Sequence, residues 1–214
     1  MAKNKDLFLD YGELIFLPTF NDQTLARAHK MALEFARDNG YLIDPSRFSE
    51  AHKDTIQAYL AERRFDNSEW SMSRIVSNIA DKLGIPRSLV PQLVEIYKLN
   101  DHDYRSMEDT TEALPKLAQN RDLHIISNTP HDSLYTELGQ YGMIGYFRTF
   151  TLSCDVGFRK PRPEIYHVAM KKAGTRPETS LFASHDELEV EGARMVGMQA
   201  FLTKSLTEVV EALQ

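Results

Sequence analysis

Leu123-His124-Ile125-Ile126-Ser127-Asn128 is an apolar run of strand length that stops abruptly at two small polar residues. A short continuous run of this kind suits a strand buried on both faces, as in a parallel sheet. Working outward, helical spacing near Glu108–Gln119 precedes it and Ser133–Tyr141 follows it. Thr149-Phe150-Thr151-Leu152 reads as the next strand, then a helix over Pro163–Ala173, a strand over Ser180–Ala183, a helix over Glu189–Val196 and a last strand at Gln199–Leu202. Strand and helix in alternation predict a parallel sheet with helices on both faces. Leu7-Phe8-Leu9, ending in Asp10-Tyr11-Gly12, is a further buried strand, and Leu14-Ile15-Phe16-Leu17 extends it or forms a hairpin arm.

Between the first strand and the alternating part the pattern is helical. Leu25, Ala28, Ala32, Phe35 and Ala36 recur at helical spacing and stop at Asn39-Gly40, a C-terminal signal. Asp44 before Pro45 is an N-cap followed by proline at the first helical position. Two more helices follow, over Glu69–Leu83 with Gly84 as its stop and from Pro86 to about Tyr97. The expected organisation is an α/β core from residues 1–17 and 101–214, carrying a helical module at 18–100.

Composition sets the class. The 214 residues include 25 basic and 31 acidic side chains, a net charge of -6, with 42% hydrophobic and 26% charged residues. That is a globular composition, which excludes general disorder, collagen and a disulfide scaffold. An acidic chain without a long Lys/Arg run has no electrostatic footprint for nucleic acid or an anionic membrane. A lone cysteine, Cys154, fits a reducing compartment. The basic start is followed by an apolar stretch broken by Asp10, Gly12 and Glu13, a poor signal peptide. The expectation is a cytoplasmic protein.

In a parallel sheet, ligand chemistry belongs at the carboxyl ends of the strands. The ends here are Asp10, Ser127, the loop before Lys160, and Ser184. Each has an ordinary structural use. Asp10 serves as a turn residue, Ser127-Asn128 as a helix N-cap, and Glu189 as an acid favouring a helix start. Together they also make a set of anion-binding groups.

Four segments, in order, resemble the haloacid dehalogenase-like (HAD) hydrolase superfamily. They are Phe8-Leu9-Asp10-Tyr11-Gly12-Glu13-Leu14, Ile125-Ile126-Ser127-Asn128, Arg159-Lys160-Pro161-Arg162-Pro163-Glu164-Ile165-Tyr166, and Phe182-Ala183-Ser184-His185 through Glu189-Val190-Glu191-Gly192-Ala193. The resemblance implies a Rossmann-like core with a helical cap. It also implies an Asp nucleophile at the end of the first strand, a second Asp two residues on as general acid and base, a Ser and a Lys holding the substrate anion, and carboxylates for magnesium. Ser127, Asn128 and Lys160 take the anion-binding positions, and Glu189 the second metal position.

The first motif departs from the family's Asp-x-Asp-Gly-Thr-Leu. Aligned without a gap on Gly12 and Leu14, the nucleophile position falls on Leu9 and the general acid on Tyr11. Ser184 then falls where the first metal carboxylate is expected. This register implies a catalytically impaired hydrolase-fold protein that keeps an anion-binding cleft, with no cofactor or weakly held magnesium. Deleting one residue before the glycine makes Asp10 the nucleophile instead. The implied protein is then an active phosphomonoesterase or a 2-haloacid dehalogenase; the dehalogenases need no metal, and their Asp-x-Tyr-Gly-Thr motif matches Tyr11-Gly12 in the ungapped register, where Leu9 again takes the nucleophile position. A regulatory or protein-interaction role is the third reading. The expected ligand is a small anion.

Overall fold

The computed structural model describes residues 6–214. The chain opens with β1 (Asp6–Leu9) and β2 (Phe16–Thr19), then enters four helices, α1 (Asp22–Asp38), α2 (Pro45–Asp66), α3 (Met72–Leu83) and α4 (Val90–Asn100). It continues through β3 (Asp103–Ser106), α5 (Thr110–Ala118), β4 (Asp122–Ser127), α6 (Leu134–Gln140), β5 (Phe147–Leu152) and the short α7 (Ser153–Val156). The last elements are α8 (Pro163–Ala173), β6 (Ser180–Ser184), α9 (Glu187–Met195), β7 (Gln199–Leu202) and α10 (Leu206–Ala212). Two units result, one of residues 1–18 and 104–214, the other of residues 19–103.

The first unit is an α/β layer structure. Its sheet has the order β5-β4-β1-β6-β7 and is parallel throughout. β1 is central, with Leu9 opposite Ile125 on one side and Ala183 on the other. The chain moves outward from β1 to β4 and β5, then returns to lay β6 on the far side of β1. That reversal opens a crevice at the carboxyl ends of the strands. Leu7, Leu9, Leu123 and Ile125 join one buried cluster, with Leu114 of α5 and Leu138 of α6. Phe8, Ile126 and Phe182 join another, with Ile165 and Tyr166 of α8 and Ala193 of α9. β2 and β3 form a separate two-stranded sheet.

The helical unit follows its caps. Asn21 forms a capping box with Thr24 and so starts α1 three residues before the apolar spacing does. The Asp44 side chain accepts the Ser46 and Arg47 N–H groups at the start of α2. Ser71 caps α3 at the Arg74 N–H, which begins this helix three residues later than its apolar pattern suggests. Gly84 ends it at φ 72°, a left-handed value that glycine takes without a Cβ clash. No helix among the described residues is long and apolar enough to cross a membrane.

Inside this unit three helices meet at a polar cluster. His29 of α1 lies 4.7 Å, ring to ring, from His52 of α2, and His52 stacks on Tyr97 of α4 at 5.9 Å. Burial, with His29 adding to it and Asp101 opposing, pushes the His52 pKa down to about 4. Burial lowers His29 as well. Both rings are therefore neutral in the fold at neutral pH, whereas an unfolded histidine takes up a proton near pH ~6.5. Below that value the unfolded state binds more protons, so the contribution is complete above about pH 6.5 and is lost as pH falls toward about 4. The melting temperature followed by helical circular dichroism is expected to drop across this window. The drop is smaller in His52→Leu, which has no proton to take up.

Candidate active site

Side chains alternate across a strand, so neighbours in sequence face opposite sides of the sheet. Leu9 is fully buried in the cluster beneath α5 and α6. Asp10 continues on the other side, that of Phe8. Its N–H still holds the strand ladder through the Ala183 carbonyl at 2.9 Å, and its carboxylate accepts from Lys160 Nζ. The Lys160 ammonium also donates to the Ile126 carbonyl at 2.9 Å and stands over the Phe182 ring. The acidic group at the end of β1 is thus Asp10, and it faces Lys160, whereas Leu9, the nucleophile position of the ungapped register, faces the apolar cluster.

The remaining groups arrive from the ends of β4 and β6 and from the helix that follows β6. Ser184, at the end of β6, donates to Glu189 Oε2 at 2.7 Å and lies 3.2 Å from Asp10 Oδ2. Glu189 Oε2 is also 2.8 Å from Lys160 Nζ. The Asp186 side chain caps α9 at the Leu188 and Glu189 N–H groups, which leaves the Glu189 carboxylate to turn inward instead of serving the helix end. Asn128 uses both ends of its amide. Its Nδ2 donates to Glu189 Oε1 at 2.8 Å, and its Oδ1 accepts the Lys160 N–H at 2.8 Å. Ser127-Asn128 is therefore not a helix cap, since α6 begins only at Leu134.

Two contacts hold this arrangement rigidly. The Tyr166 hydroxyl of α8 donates to the Glu189 carbonyl at 2.6 Å. Gly192 of α9 lies so close to the lysine loop that a Cβ there would stand 2.6 Å from the Pro161 carbonyl oxygen. Absence of that atom lets the helix carrying Glu189 approach the loop carrying Lys160, a close approach that requires glycine.

Tyr11 is not brought to the cluster. It shares the Leu9 side, its ring lies against Phe16, and its hydroxyl donates to buried Glu137 at 2.6 Å. Burial, the Glu137 charge and that hydrogen bond all hold its proton on. A group sequence reasoning passed over takes part instead. His185 Nδ1 lies 3.0 Å from Asp10 Oδ2, and Nε2 lies 3.6 Å from Glu13 Oε2.

The electrostatics follow from these distances. Burial works to raise the Asp10 pKa, but Lys160 and His185 outweigh it and the net direction is down. Burial works to lower Lys160, and the two carboxylates reverse it. Glu189 goes up, through burial first and the Asp10 charge beside it, against the pull of Lys160. Asp10 is the ionised partner, and Glu189 protonates first.

Magnesium takes a near-octahedral oxygen shell at about 2.0–2.1 Å. The oxygens here are already engaged. Asp10 Oδ1 accepts from Lys160 and the Tyr11 N–H, and Oδ2 faces Ser184 and His185. Glu189 accepts from Asn128, Ser184 and Lys160. An ammonium sits between the two carboxylates, and Ser184 offers no charge. These residues do not fit a magnesium ion.

A family model described as haloacid dehalogenase-like hydrolase matches residues 47–203. The glyceraldehyde 3-phosphate phosphatase of Methanothermobacter thermautotrophicus is 33% identical over 107 residues, 49% of this chain and 47% of that protein. The match thus spans about half the length of that relative. A HAD phosphatase from Thermococcus onnurineus superposes with a TM-score of 0.64 at 19% identity, covering 98% of this chain and 97% of its own. A 2-haloacid dehalogenase from Pseudomonas syringae gives 0.63 at 16%, covering 92% and 85%. These structural likenesses are of fold.

Replacing Lys160 with an apolar side chain would leave two buried carboxylates without their counter-charge. Lys160→Met is expected to lose about 3–5 kcal/mol at neutral pH, read from urea midpoints. The loss shrinks in acid, where the carboxylates take up protons.

Proposed function

The chain belongs to the haloacid dehalogenase-like hydrolase family, and within it we propose a hydrolase that works without a metal ion. Asp10 is its nucleophile, and its substrate is a small organic acid with a leaving group on carbon, a 2-haloacid being the simplest case. The observation that carries this reading is the Asp10 carboxylate, buried at the end of the central strand against the Lys160 ammonium. A carboxylate held in this way is a positioned nucleophile.

The missing groups select the substrate. Phosphoryl transfer from an alcohol relies on cations that neutralise the transferring oxygens and on a proton for the departing alkoxide. Position 12 is glycine and position 184 is serine, so neither the usual acid nor the usual metal carboxylate is supplied. A halide leaves as a stable anion and asks for neither. In the first step an Asp10 oxygen bonds to the substrate carbon while the carbon–halogen bond breaks, and the halide departs with the electron pair. Water then hydrolyses the ester at the Asp10 carbonyl carbon, giving the 2-hydroxyacid. Ser127 at the end of β4 would receive the substrate's carboxylate, with Asn128 joining it on exchanging its bond to Glu189. The helical unit would act as the cap that sets substrate choice, and a cytoplasmic location belongs to the same proposal.

A second reading has its own support. The Lys160 charge is already matched by Asp10 and Glu189, which fits a protein that has lost turnover and keeps a weak anion-binding or regulatory role. Halide and phosphate release separate the two. The expected result is halide release from 2-chloropropionate in the presence of a chelator, abolished in Asp10→Asn, with little phosphate release from phosphomonoesters. In a single turnover in ¹⁸O-water the product hydroxyl is expected to carry the Asp10 oxygen and not the solvent's. Activity that requires magnesium, or that survives in Asp10→Asn, would contradict the reading.

A further inference from the structure

The reading above leaves the second step without a base, and the structure offers one. We propose that His185, set between Asp10 and Glu13, is the general base that hydrolyses the Asp10 ester. This rests on Asp10 being the nucleophile and goes beyond it.

Position comes first. His185 follows the last residue of β6 and reaches Asp10 Oδ2 with Nδ1 at 3.0 Å. Its side chain is 30% exposed, whereas Asp10 is 5% and Lys160 fully buried, so it is the group of the cluster that water can approach. Glu13 lies on its other side, 3.6 Å from Nε2. Glu13 has φ 60°, a left-handed value uncommon for a residue with a side chain. Backbone held in this way belongs to sites where position matters more than local comfort. The charged groups around His185 are Asp10 at the end of β1, Glu13 in the following turn, Glu189 on α9, and Lys160 behind Asp10.

Charge sets the timing. The contact with Asp10 holds the His185 pKa up in the resting enzyme, against its partial burial. Formation of the ester removes the Asp10 charge, and with it the main reason for the ring to stay protonated. His185 thus becomes the free base at the moment a base is needed. It takes a proton from water as the water oxygen adds to the Asp10 carbonyl carbon. Collapse expels the substrate oxygen, which recovers that proton from the ring and leaves as the hydroxyl. The regenerated Asp10 carboxyl then loses its own proton to solvent. Water and haloacid give hydroxyacid, halide and one proton.

The test uses the full chain with 2-chloropropionate and no metal. His185→Asn and His185→Gln are each checked for an unchanged melting temperature. Both are expected to release about one halide per chain and then stall, with steady turnover down about 10²-fold or more. Peptide mass spectrometry should find the ester on Asp10. The wild type should lose turnover on the acid side of its pH profile, a limb that the residual rate of the variants lacks. A merely structural histidine would slow the halide burst and leave no adduct. Full turnover in both variants, or a slowed burst without adduct, overturns the role of His185 alone. A wild type that gives neither halide nor adduct overturns the nucleophile and, with it, the base.

Discussion

One buried ammonium organises the strand ends. Lys160 Nζ lies between Asp10 and Glu189, all three shielded from solvent, and the groups around them serve that triad. Asn128 fixes the lysine's backbone and one Glu189 oxygen, while Ser184 bridges the carboxylates. Asp186 caps α9 so that Glu189 can turn inward, and Gly192 lets that helix meet the lysine loop. Burying charge is costly unless it is paired and hydrogen-bonded. Here the pairing is complete, which explains why so many polar groups converge on a volume with little access to water.

The same pairing shapes the chemistry. The site carries a cation on a side chain, between its two carboxylates. The result is an ionised carboxylate with fixed orientation, modest net charge around it and one water-facing imidazole. On the proposed reading, that combination favours displacement at carbon by a leaving group that needs no proton over transfer of a dianionic phosphoryl group.

Much of this was legible in the sequence, and what escaped it did so for local reasons. The α/β order, the helical insertion and strands such as Gln199–Leu202 followed from apolar runs and their spacing. Asn128, Lys160 and Glu189, which the sequence places at a strand end, in a loop and at a helix start, lie together in the structure. The first motif was read by counting residues from Gly12, whereas a strand alternates sides, and Leu9 and Asp10 face opposite layers. Attention to parity would have helped: Asp10 shares its side with Phe8, as Ser184 does with Phe182. His185 was hidden among nearby acids whose spacing matched no known pattern, and only the pairing of β1 with β6 brings it to Asp10. The helix at Leu206–Ala212 was missed although Ser205 and Glu208 carry a recognisable N-cap signal.

The claim on which the account turns is that Lys160 stands where a divalent cation would otherwise be. Manganese binding to the intact chain, followed by electron paramagnetic resonance, tests it directly. The account predicts no stoichiometric site and no difference between wild type and Asp10→Asn. One manganese ion held by the wild type and released by that substitution would contradict it.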